Sequence, residues 1–146
     1  MSPSTMIGRG GGAKNKTVKS SVGAVLEDMR NDIIELSNKS LYYPVDPTSR
    51  KDALVGGTIS CNASGFIPGD KGATRHWVNR LKIILANGYI TDIKRGDYIS
   101  NHAKFILLCD NQKTIIEVPK YHRPKIKNAS GPFTAEDKEI DFIDLI

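Results

Sequence analysis

Apolar residues recur at helical spacing in two stretches of this chain. Val22, Val25, Leu26, Met29, Ile33 and Leu36 lay one apolar face along 21–36, and Ser20 or Ser21 can cap its start and Asn38 its end. Trp77, Leu81, Ile84 and Leu85 mark a second helix over about 74–87, stopped at Asn87-Gly88. Strand patterns follow. Tyr89-Ile90-Thr91-Asp92-Ile93 is one; Lys104-Phe105-Ile106-Leu107-Leu108 and Thr114-Ile115-Ile116-Glu117-Val118 form a predicted hairpin around Asp110-Asn111-Gln112. Leu41-Tyr42-Tyr43 is a further short strand, closed by Pro44.

Between these elements, 45–71 is rich in Pro, Gly, Ser, Asp and Asn. Gly56-Gly57 and Pro68-Gly69 read as turns, so the stretch is expected to be a long loop with at most a short strand at 58–61. The pattern predicts an α+β fold: two helices packed on a small, mainly antiparallel sheet of three to four strands. A flexible basic tail (1–20) precedes one domain (21–128) carrying a loop insertion (45–72), and an acidic tail (129–146) follows. Ile140, Phe142, Ile143 and Leu145 give that last tail a short helix to dock on the body or on a partner.

Composition narrows the class. A chain of 146 residues with 39% hydrophobic and 25% charged side chains can bury a core of its own. No apolar run approaches the roughly 20 residues of a membrane-spanning helix. Met1 to Lys19 lacks the apolar centre of a secretory signal, so the four Asn-x-Ser/Thr triplets are expected to stay unglycosylated. Cys61 and Cys109 lie far apart, and His76, His102 and His122 stand singly, without zinc-ligand spacing.

Charge is arranged unevenly around a net +5. Residues 1–26 carry +4, residues 71–127 carry +8, and residues 133–146 carry −4. A basic helix-and-sheet segment is a physical fit for a polyanion, because each phosphate neutralised by Lys or Arg releases counterions. Carboxylates are scattered, Ser and Cys have no positioned His partner in any motif, and Gly8 to Gly12 are not followed by a helix-opening Lys-Ser/Thr. The residues therefore predict a binding protein, not an enzyme, with no cofactor and no metal.

Leu26-Glu27-Asp28-Met29-Arg30-Asn31, then Asn38-Lys39 and the strand to Pro44, resembles the first helix and strand of the small-subunit ribosomal protein eight family. Gly88-Tyr89-Ile90 matches that family's Gly-aromatic-Ile turn, and His122-Arg123-Pro124-Lys125-Ile126-Lys127 stands near its basic Ser-Lys/Arg-Pro-Gly-Leu-Arg segment. The likeness covers roughly 22–44 and 74–127; the 45–72 insertion and the absence of the family's C-terminal domain depart from it. It implies a divergent structural rRNA-binding protein of a small ribosomal subunit, in a mitochondrial or other organellar matrix rather than the cytosol.

On that resemblance Lys94, Arg95, Lys104, Lys120, Arg123, Lys125 and Lys127 bind phosphates, Arg75, Arg80 and Lys82 supply a second edge, and Tyr121 is placed to stack. Ribosomal RNA and neighbouring ribosomal proteins, met through the acidic tail, are the implied partners, with no membrane contact. The alternative is a winged-helix DNA-binding regulator, with Arg75, His76, Asn79, Arg80 and Lys82 facing the major groove.

Overall fold

The computed structural model describes residues 6–7, 16–68, 70–109, 112–120 and 139–145. The chain divides into two compact units, 1–74 and 75–146.

The first unit is built on helix α1, Leu26–Leu36. Its inward residues Leu26, Met29 and Ile33 follow i, i+3, i+7 spacing and are buried, with Val18, Leu41, Tyr43, Ala53 and Val55 against them. The helix starts five residues later than its apolar pattern suggests. Val25 is extended and bridges Leu54, while Leu26 N–H donates to Ala53 O and Val55 N–H to Ala24 O. Once those amides are committed to a ladder, Val22 falls outside the helix and is 69% exposed. Just after the helix, Asn38 takes φ +51°, a conformation Asn tolerates. Short strands β1 (Met6–Ile7) and β2 (Val18–Lys19) pair antiparallel.

The 45–71 stretch is not simply a loop. It holds helix α2, Val55–Ser60, and a 3-10 turn, Asp70–Gly72. Salt bridges fasten its first part to α1: Arg30 Nη1 and Arg50 Nη1 meet Asp46 Oδ1 at 2.6 and 2.8 Å, and Arg50 Nε meets Glu27 Oε2 at 2.9 Å.

The second unit contains two antiparallel hairpins. Strands β3 (Arg80–Ile84) and β4 (Ile90–Lys94) pair from Arg80↔Lys94 to Ile84↔Ile90, with Gly88 at φ +85° in the turn. Strands β5 (Lys104–Cys109) and β6 (Gln112–Glu117) pair from Lys104↔Glu117 to Cys109↔Gln112; residues 110 and 111 lie outside the described set. Helix α3, Phe142–Leu145, closes one core with them, formed by Ile93, Phe105, Leu107, Val118, Ile140, Phe142 and Ile143. The Phe105 and Phe142 rings meet edge to face, centroids 5.2 Å apart. Ile99 bridges Asp141, and Ser100 N–H donates to Ile140 O, so the last apolar residues dock on this unit.

One expected element changes type. In place of a helix over 74–87 there is a 3-10 turn, Thr74–Trp77, and then strand β3. The reason is the period. Leu81 and Ile83 are partly buried while Arg80, Lys82 and Ile84 are exposed, an alternation of two satisfied by cross-strand partners on β4. Ile84, assigned to the helix stripe, is 73% exposed.

Candidate functional site

The glycines of α2 have opposite surroundings. A Cβ at Gly56 would lie 2.8 Å from Val22 Cβ and 3.0 Å from Val22 O, and the Gly56 N–H donates to that carbonyl at 2.8 Å. Gly56 is therefore glycine because two backbones meet there. A Cβ at Gly57 would meet nothing within 4 Å, although glycine costs helix stability at that position.

The segment behind these glycines is held rigidly. Thr58 Oγ1 donates to Val55 O and Ala63 N–H to Thr58 O. Thr74 donates twice to Ala63 O, from its N–H at 2.9 Å and its hydroxyl at 2.8 Å. Tyr43 shares a hydrogen bond with that hydroxyl, and burial pushes its phenol up to about 12 against the opposing pull of Thr74 and Arg30. Gly65 is seated on the Asp46 backbone, so closely that a Cβ would sit 2.0 Å from Asp46 O. Cys61 closes the helix, its thiol donating to Gly57 O at 3.1 Å.

The cations singled out from sequence are distributed differently. Arg80 makes a bidentate pair with Asp92 across the first hairpin, Nε to Oδ1 at 2.7 Å and Nη2 to Oδ2 at 2.9 Å. Arg95 turns into its unit, donating to Val78 O, Arg75 O and Asp144 Oδ1 at 3.0, 3.0 and 2.8 Å. Lys104 pairs with Glu117 at 3.5 Å. Lys82 and Lys94 are exposed on β3 and β4, and Lys120 is exposed after β6. Tyr121, Arg123, Lys125 and Lys127 lie outside the described residues. The element that the pattern of turn residues concealed was the helix that Gly56-Gly57 opens, leading directly into Thr58-Ile59-Ser60-Cys61, a run without Pro or charge that can continue as a helix.

A family model described as "FAD binding domain" matches residues 11–94. The glycolate oxidase subunit GlcD of Bacillus subtilis (strain 168) is 38% identical over 77 residues, which cover 53% of this chain and 16% of that protein. The D-2-hydroxyglutarate dehydrogenase of Stutzerimonas stutzeri (strain A1501) is 38% identical over 64 residues, 44% of this chain and 14% of that one. The chain thus spans about a sixth of the length of the curated relatives it matches. No solved structure matches it.

These matches overturn the resemblance to small-subunit ribosomal protein eight and what it implied: the rRNA and ribosomal-protein partners and the role in translation. They equally remove the winged-helix regulator, whose recognition helix is in any case a 3-10 turn and a strand. The expectation of a non-enzyme is corrected as well, since both relatives are named as enzymes or enzyme subunits. The physical reason for the error is that its motifs served ordinary structural needs. Arg30 pairs with Asp46, Gly88 supplies a positive φ to a hairpin turn, and Arg95 is consumed inside its own unit.

Proposed function

This chain belongs to the FAD binding domain family, and from that premise we propose that it binds flavin adenine dinucleotide in an oxidoreductase of 2-hydroxy acids. Gly57 carries the reading. It lies within the matched residues, has no side chain, and leaves open space where one would be. A dinucleotide's pyrophosphate is held most closely by backbone N–H groups that no Cβ obstructs, so the residue present fits the group. Gly56 against Val22 and Gly65 against Asp46 keep that backbone in place, and the Thr74–Ala63 bonds fix its far end.

Bound FAD supplies the two-electron acceptor for converting a hydroxyl beside a carboxylate to a keto group. The substrate class follows the relatives' names, glycolate oxidase and D-2-hydroxyglutarate dehydrogenase, both of which denote 2-hydroxy acids.

The test is titration of the chain with FAD, read by flavin fluorescence and visible absorbance. Saturable binding is expected, with Gly57→Val weakening it about tenfold or more, an affinity loss of about 1.4 kcal/mol. No binding, or binding indifferent to Gly57→Val in a folded protein, rejects the reading. Bleaching of the bound flavin by glycolate or D-2-hydroxyglutarate, but not by a 3-hydroxy acid, tests the substrate class.

A further inference from the structure

The hairpin of β5 and β6 lies outside the residues matched to the FAD binding domain, 11–94. Its register sorts its side chains by face, because cross-strand partners share a side and successive residues alternate. Phe105 and Leu107 point inward and are fully buried. The other side carries three facing pairs in order along the hairpin: Lys104 with Glu117, Ile106 with Ile115, and Leu108 with Lys113. All six side chains are exposed, and Ile106, Leu108 and Ile115 keep 48%, 66% and 57% of their surface open. Single exposed aliphatics are ordinary, whereas three on one face of one hairpin form a patch.

That face is complementary to itself. Ile106 and Ile115 occupy its middle, two residues from either end. One end holds Glu117 beside Lys104, Oε1 to Nζ at 3.5 Å, and the other holds Lys113 beside Leu108. We propose that this face packs on the same face of a second copy, about a two-fold axis that runs across the strands at the Ile106–Ile115 pair. Such an axis reverses strand direction while keeping β5 over β5 and β6 over β6. Ile106 and Ile115 then meet their own counterparts. Lys113 reaches the partner's Glu117, and Leu108 lies along the stem of the partner's Lys104.

Charge selects this occupant. The face bears both signs, with a carboxylate at one end and an unshared ammonium at the other, so a uniformly anionic surface would be repelled by Glu117. A reversed copy answers each end with its opposite. Glu117 is 77% exposed, which leaves it room to accept the partner's Lys113 while it holds Lys104. Three aliphatic side chains per copy make a small contact, so the association is weak and depends on concentration.

The test is sedimentation velocity of the full chain from about 10 μM to about 1 mM. A monomer–dimer equilibrium is expected. Ile106→Thr/Ile115→Thr keeps β-branched residues in the strands and should raise the dissociation constant about tenfold or more. Lys113→Glu and Glu117→Lys, each alone, set like charges against each other at both ends of the contact and should weaken pairing by about the same factor. Mixed in equal amounts, these two variants should pair with each other and recover the parent's dimerisation, a result that loss of folding cannot imitate. A chain monomeric at about 1 mM, dimerisation indifferent to all the variants, or a mixture that stays monomeric overturns the proposal. So does binding of the monomer to phosphatidylglycerol vesicles through the same residues.

Discussion

Gly65 lies against the backbone of Asp46, with room between them for a hydrogen but not for a methyl group: an added Cβ would stand 2.0 Å from the carbonyl oxygen and 2.1 Å from the carbonyl carbon. Backbone cannot swing aside as a long side chain can. Gly65→Ala is therefore expected to destabilise the first unit by about 3 kcal/mol or to prevent its folding. Gly57→Ala, where a Cβ meets nothing within 4 Å, is expected to do the reverse and stabilise by about 0.5–1 kcal/mol while weakening FAD binding. Urea melts of the two variants, beside FAD titration of the second, check both signs.

Asp46 also anchors the ion-pair cluster. Its hydrogen bond from Arg30, aided by the charges of Arg30 and Arg50, holds its carboxyl below the usual value of 3.8 despite some burial. A depressed folded value gives stability that is present above pH 3.8 and is lost as pH falls through the folded value. Asp46→Asn should cost about 1–2 kcal/mol at neutral pH, and the difference from the parent should shrink under acid. Melting temperature against pH for both proteins is the measurement.

Tyr43 predicts the opposite limb. Its folded value is raised from 10.0 to about 12, chiefly by burial. The stability it contributes is complete below pH 10 and is lost as pH rises toward 12, with a slope of about 1.4 kcal/mol per unit. Tyr43→Phe should cost about 1 kcal/mol at neutral pH through the lost Thr74 bond, yet fall less steeply in alkali. Absorbance titration should show one fewer late-ionising phenol.

Arg95 ties three places in the second unit together through Val78 O, Arg75 O and Asp144. Arg95→Ala is expected to destabilise by about 2–3 kcal/mol, because a charged donor is lost from Val78 O and Asp144, while Arg75 O keeps only the Val78 N–H. Arg95→Lys should recover little, since an ammonium cannot reproduce the planar fork. Asp144→Asn should cost less than Arg95→Ala. Chemical denaturation of the three variants ranks them.

The residue pattern alone determined the parts of this protein that need only neighbours in sequence. Leu26, Met29 and Ile33 lie on one helical face whatever surrounds them, and the β-forming runs 104–108 and 114–118, separated by a short turn, yield a hairpin because each strand's inward side needs the other's. What tertiary structure decided is whatever depends on a distant partner. Leu81 with Ile84 reads as a helical face and Leu81 with Ile83 as a strand face, and the cross-strand partners on β4 decide for the strand, while Val25 leaves its helix because Leu54 pairs with it. The site was the least legible part for the same reason. Gly56, Gly57 and Gly65 look alike on paper, and only folding separates the one packed on Val22 and the one packed on Asp46 from Gly57, whose missing Cβ faces open space.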